Sequence, residues 1–127
     1  MVKKILVVED DKDIADLVKL VLETTNQFEV STVLDPEKAY ETAVAYRPDA
    51  ILLDLSMPKM DGWAVFDIIR RDASFAGIPI AILTARSQDV DEMIILHVKR
   101  ADGHIAKPFG KQELIDKTNE LFTKRSK

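Results

Sequence analysis

Ala50-Ile51-Leu52-Leu53-Asp54-Leu55-Ser56-Met57-Pro58-Lys59-Met60-Asp61-Gly62 runs from four apolar residues into an acid and then into a Pro- and Gly-marked turn. The run is too short for a helix and has the composition of a strand buried on both faces, so Asp54 falls at its C-terminal tip. Three further runs end in the same manner. Ile5-Leu6-Val7-Val8 leads to Glu9-Asp10-Asp11, Ile80-Ala81-Ile82-Leu83 to Thr84, and His104-Ile105-Ala106 to Lys107-Pro108. In an open parallel sheet all strand C-termini lie along one edge, where ligands bind, so acids, a hydroxyl and an ammonium are expected to converge there.

Between the strand-like runs lie longer stretches of helical period, the pattern of a βα repeat with helices on both sheet faces. Ile14, Leu17, Val18, Val21 and Leu22 recur at spacings of three and four and mark a first helix. Residues 28–33 read as the second strand. Asp35 offers a helix N-cap, Pro36 suits the first helical position, and Ala39, Ala43 and Tyr46 follow on one face up to Arg47-Pro48. A third helix carries Val65, Phe66, Ile68 and Ile69 after Gly62. A fourth is expected over Ser87–Arg100 and a fifth from about Lys111 to Phe122, giving five strands and five helices.

Composition narrows the function classes. The chain has 127 residues, 46% hydrophobic and 31% charged, which suits one soluble domain able to bury a substantial core. The absence of cysteine excludes disulfides and thiolate metal sites and fits a cytoplasmic location. No apolar stretch reaches bilayer length, and the first strand-like run follows the N-terminal lysines directly, without a signal-type cleavage region. A net charge of −4 gives no general attraction to nucleic acid. Lys124-Arg125-Ser126-Lys127 reads as a solvated helix end, and there is neither a linker nor an internal repeat.

Glu9, Asp10 and Asp54 held close together would repel one another, so the edge invites a divalent cation. Oxygen donors without imidazole or thiolate favour Mg²⁺ or Mn²⁺ over zinc. Beside such an ion Asp54 can act as a nucleophile toward a phosphoryl group, with Thr84 donating a hydrogen bond and Lys107 a positive charge. Each group also has a plainer role open to it: Thr84 as a cap for the following helix, Lys107 as neutraliser of an acidic edge.

The four strings Ile5-Leu6-Val7-Val8-Glu9-Asp10-Asp11, Asp54 to Gly62, Leu83-Thr84-Ala85 and Lys107-Pro108-Phe109, in this order at strand ends, resemble a response-regulator receiver domain of two-component signalling. The resemblance covers Lys4 to about Phe122. It implies a flavodoxin-like, doubly wound (βα)5 fold with strand order 2-1-3-4-5, the whole of residues 1–127 being one receiver domain with no output domain. By similarity Asp54 is the phosphoacceptor, Asp10 a direct Mg²⁺ ligand, Glu9 an acid acting mostly through water, and the Ser56 carbonyl a further ligand. Thr84 and Lys107 would contact the phosphoryl group. A cis peptide is expected between Lys107 and Pro108, aiming the lysine into the site. Ser56 and Arg86, two residues beyond Asp54 and Thr84, would set the lifetime of the acyl phosphate, Arg86 by shielding it.

The chain departs from the family's pattern in places. His104 stands at the switch position, usually Tyr or Phe, and reads either as a distinct switch residue with Thr84 or as a partly exposed histidine on an edge strand. Arg100 replaces a common glycine, and the interval from Thr84 to Lys107 is about one residue longer than usual, which places an alteration in the fourth helix or its exit. Gly110 replaces a better helix cap, at a cost of only about a few tenths of a kcal/mol.

The fourth helix, fifth strand and fifth helix form the family's usual output face. Met93-Ile94-Ile95-Leu96 cannot all point into one core from a helix, so part of this stretch is expected to be exposed, as a protein contact or as scattered surface apolars. Trp63 is expected to pack over a loop, and His97 to be a surface residue. The leading reading is a phosphorylation switch, served by a histidine kinase or phosphotransfer protein, that is not itself a conventional enzyme. It would be a monomer or a weak phosphorylation-dependent dimer, with no direct binding to nucleic acid or membrane. The alternative is a phosphate-insensitive pseudo-receiver acting as a binding module. An electron-transfer flavoprotein is disfavoured because Glu9-Asp10-Asp11 would repel phosphate. A phosphatase using an Asp nucleophile would want an acid where Ser56 stands.

Overall fold

The computed structural model describes residues 2–55, 62–85 and 101–125. Five strands, β1 (Lys3–Val8), β2 (Phe28–Val33), β3 (Ala50–Asp54), β4 (Ile80–Ala85) and β5 (Gly103–Lys107), form one sheet in the order β2-β1-β3-β4-β5. Every neighbouring pair is parallel. The helices among the described residues are α1 (Lys12–Glu23), α2 (Ala39–Tyr46), α3 (Gly62–Arg71) and a C-terminal helix (Lys111–Arg125). The expected fourth helix, with Arg86, Met93–Leu96, His97 and Arg100, lies outside the described residues, as does Ser56.

The apolar runs are strands because alternate side chains serve two cores. Leu6, Val8, Ile51, Leu53, Ile80 and Ile82 pack with Ala39 and Ala43 of α2 and Val65, Phe66 and Ile69 of α3. Ile5, Val7, Leu52, Ala81, Leu83 and Ile105 pack with Val18, Val21 and Leu22 of α1 and Leu114, Ile115 and Leu121 of the C-terminal helix. A strand covered on both sides cannot alternate with polar residues, and β3 is buried throughout. The outer edge of β2 is covered from α1, where Lys19 Nζ donates to the Val30 carbonyl at 2.8 Å and the Val30 N–H donates to Glu23 at 3.1 Å. Such side-chain caps blunt an edge that would otherwise invite another strand.

Two sequence expectations are corrected. Leu17 was placed on the buried stripe of α1, yet it is 48% exposed; the stripe runs through Ala15, Val18 and Leu22, and Leu17 falls to one side of it. Pro36 does not open α2. Asp35 accepts from the Glu37 N–H at 3.0 Å and caps a single 3-10 turn, Pro36–Lys38, and α2 begins only at Ala39. As expected, α2 ends before Pro48: Arg47 adopts a left-handed conformation (φ 56°) with its N–H bonded to the Ala43 carbonyl.

The start of β4 is tied to the approach to β5 by a long-range clamp. Arg70 Nη1 donates to the carbonyls of Phe75 (2.9 Å) and Ile78 (2.7 Å), and Nη2 to Asp102 Oδ2 at 2.9 Å. The same Asp102 oxygen accepts from the Ile80 N–H at 2.8 Å. Removing the guanidinium would strand an acid and two carbonyls that are largely shielded from water. Arg70→Ala is expected to lower unfolding free energy by about 2–3 kcal/mol, less than a fully buried pair because this one is partly exposed. Arg70→Lys should recover little, since one ammonium cannot reproduce the fork. Urea titration of the two variants against wild type checks this; a loss below about 0.5 kcal/mol for Arg70→Ala would contradict it.

Candidate functional site

The C-terminal ends of β1, β3, β4 and β5 deliver their polar residues to one edge. Asp54 ends β3 and is 1% exposed; Glu9, just past β1, is also 1% exposed, and Thr84 near the end of β4 is 2% exposed. Asp10 is more open to solvent. Carboxylate oxygens of Glu9, Asp10 and Asp54 all lie within 4.8 Å of one another. Lys107, the last residue of β5, bridges two of these acids, with Nζ 2.7 Å from Glu9 Oε1 and 3.3 Å from Asp54 Oδ1. The Lys107-Pro108 peptide is cis, as expected.

The electrostatics follow from burial. Loss of solvation, reinforced by the neighbouring Asp54 and only partly relieved by Lys107, pushes the Glu9 pKa up to about 7. Burial alone would lower the pKa of Lys107, but the carboxylates of Glu9 and Asp54 outweigh it and raise it, so the ammonium stays charged. Three acids facing one ammonium leave the cluster short of positive charge. The donors are all hard oxygens, two of them buried, and this set fits a hard divalent cation of the Mg²⁺ type.

Asp11 does not join the cluster. Its carboxylate caps α1, accepting from the N–H groups of Asp13 (3.0 Å) and Ile14 (3.3 Å), while its own N–H donates to Glu9 Oε2 at 3.2 Å. The cap therefore helps to fix Glu9. The sequence signal was available: an Asp directly before a helical period is a good N-cap.

His104 is half-buried and lies opposite Ile82 in the β4–β5 ladder, two positions before the pair Thr84–Ala106. Thr84 and His104 thus stand on the sheet face that carries α2 and α3. Lys107 shares the opposite face with Ile105, and Asp54 shares it with Leu52. Trp63 packs edge-to-face on Phe66, ring centroids 5.6 Å apart, as a packing residue should. Gly110 begins the C-terminal helix with its carbonyl accepting from Leu114, and Glu113 reaches back to the Gly110 N–H at 3.4 Å, so half of a capping box survives without a capping side chain at Gly110. An apolar hollow of about 370 Å³ beside the site is lined by Ile14, Leu17, Lys107, Pro108 and Phe109.

The raised pKa of Glu9 has a signed consequence for stability. A carboxylic acid with a higher pKa in the folded than in the unfolded protein favours folding while protonated. That contribution is complete below about pH 4.5 and is lost as pH rises through about 7. Without divalent cations, wild type should therefore lose up to about 3 kcal/mol relative to Glu9→Gln between pH 4.5 and 7.5. Urea unfolding of both proteins across this range in chelator checks it. A pH-independent difference would contradict the assignment.

Among the described residues no helix is long and apolar enough to cross a membrane. Residues 5–119 match the response regulator receiver domain family. RpaA of Synechocystis sp., a DNA-binding dual master transcriptional regulator, is 37% identical over 119 residues, which cover 94% of this chain and 48% of that protein. The chain spans about half the length of such curated relatives. The receiver domain of the Francisella response regulator 1452 superposes with a TM-score of 0.83 at 30% identity, covering 98% of this chain and 99% of that one. The Vibrio cholerae chemotaxis protein CheY4 gives a TM-score of 0.82 at 26% identity, covering 95% and 99% of the two chains. With the strand order, the acidic edge and the bridging lysine in place, the chain belongs to the response regulator receiver domain family of two-component signalling.

Proposed function

We propose that this domain is a phosphorylation switch in which Asp54 accepts a phosphoryl group from a histidine kinase or a histidine phosphotransfer protein. The observation that carries the reading is the buried Asp54 carboxylate at the tip of β3, held at 3.3 Å by the Lys107 ammonium that also holds Glu9. An Asp54 oxygen attacks phosphorus as the bond to the donor imidazole nitrogen breaks, and that nitrogen keeps the electron pair. Glu9, Asp10 and Asp54 would hold Mg²⁺, with the Ser56 carbonyl as a further ligand; Mn²⁺ is an alternative. When bound, the ion offsets the charge that accumulates between the carboxylate and the phosphoryl oxygens. Lys107 then turns part of its interaction from Glu9 to a phosphoryl oxygen, and Thr84 donates its hydroxyl to another.

The domain acts on itself, as both acceptor and catalyst of its own phosphoryl transfer. Ser56 and Arg86 set how long the acyl phosphate survives. Movement of Thr84 toward the phosphoryl group is passed to His104, its neighbour on the same sheet face, and from there to a partner protein that docks over β5 and the C-terminal helix, the part of the expected output face that falls within the described residues. RpaA is named as DNA-binding, but this chain matches only about half of it, so DNA contact is not carried over. A pseudo-receiver that only binds partners would not need Glu9, Asp10, Asp54, Thr84 and Lys107 together, and their joint presence favours the switch.

Incubation with acetyl phosphate and Mg²⁺, followed by intact mass, tests the reading. Wild type is expected to gain one phosphoryl group and Asp54→Asn none. A folded wild type of unchanged mass, with rapid turnover excluded by varying the quench time, would favour the pseudo-receiver.

A further inference from the structure

Gly62 opens α3, is buried, and sits against the end of the strand that presents Asp54. A Cβ at this position would lie 2.5 Å from the Asp54 carbonyl oxygen, 2.6 Å from Leu55 Cα and 3.1 Å from Leu55 Cδ2. The first two are backbone atoms, and comfortable carbon contacts begin at roughly 3.5 Å. The requirement is one of space and not of torsion, since no glycine among the described residues has a positive φ.

Neither side of this contact can yield easily. On the strand side, Asp54 pairs with Leu83, and the Leu55 N–H is bonded to the Leu83 carbonyl at 3.2 Å. On the helix side, Val65, Phe66 and Ile69 seat α3 in the core at 2%, 3% and 0% exposure. An added methyl must therefore displace the tip of β3, the first turn of α3, or both. Gly77 differs: a Cβ there would meet nothing within 4 Å.

We propose that Gly62 is a positioning residue for phosphoryl transfer: the missing side chain lets α3 close on the end of β3 and fixes the Asp54 carboxylate beside Glu9 and Lys107. This deepens the reading of Asp54 as phosphoacceptor and rests on it. Reacting groups misplaced by about 1 Å can lose about 100-fold in rate, so a clash of this size in the backbone bearing the nucleophile should be visible in kinetics.

The test compares initial rates of phosphorylation by acetyl phosphate at saturating Mg²⁺, per folded molecule, in wild type, Gly62→Ala, Gly77→Ala and Ile69→Ala. Ile69 lies in the same helix on its core face and supplies a destabilised control. Gly62→Ala is expected to react at least about tenfold more slowly than wild type, and Gly77→Ala and Ile69→Ala to stay within about twofold. Should Gly62→Ala not fold by itself, all rates are measured in trimethylamine N-oxide, which favours the compact state. A Gly62→Ala rate within twofold of wild type, or an equal loss in Ile69→Ala, overturns the proposal. Loss of phosphorylation in folded wild type would instead refute the reading of Asp54, so the two failures are distinct.

Discussion

The Lys107 ammonium between two buried carboxylates is the interaction on which the rest of the structure depends. Glu9 and Asp54 end up on neighbouring strands because β1 and β3 pair in parallel, and both are almost wholly removed from water. Placing two such acids together is costly unless a cation lies between them, and Lys107 reaches that place from β5, at the far side of β4. The lysine thus couples the strand order to the chemistry. Burial still pushes the Glu9 pKa up to about 7, because the lysine offsets that loss of solvation and the nearby Asp54 charge only in part, and the edge is left ready to accept further positive charge.

The period of two along each strand divides the labour across the sheet. Asp54 and Lys107 lie on the side of α1 and the C-terminal helix, while Thr84 and His104 lie on the side of α2 and α3. In the proposed switch, chemistry on one face is read on the other through Thr84, whose burial leaves it little freedom to respond except by moving with the phosphoryl group. In that switch a histidine where Tyr or Phe is usual makes the reader smaller and more polar.

Much of this was legible in the sequence, for a definite reason. Strands covered on both faces leave contiguous apolar runs, so residues 28–33 and 50–54 were bounded correctly and the polar residues beyond them fell at the same edge. Glu9, Asp10, Asp54 and Lys107 were named from position alone and come together in space. Helix details were less legible. Leu17 has the right spacing for the buried stripe but the wrong rotation, and the Asp35-Pro36 signal is satisfied by one tight turn as well as by a helix start. The clamp from Arg70 to Asp102 left no trace in the sequence, because a pair 32 residues apart has no periodic signature. The tight seat of Gly62 was likewise invisible until α3 was placed against β3.

Amide NMR spectra recorded with and without beryllofluoride and Mg²⁺, the fluoride complex standing in for a phosphoryl group on Asp54, test the central claim most directly. Large shifts are expected at Asp54 and Thr84, continuing to His104 on the opposite face of the sheet, and none of these in Asp54→Ala. Spectra that change equally in Asp54→Ala, or that change around Asp54 while Thr84 and His104 stay fixed, would contradict it.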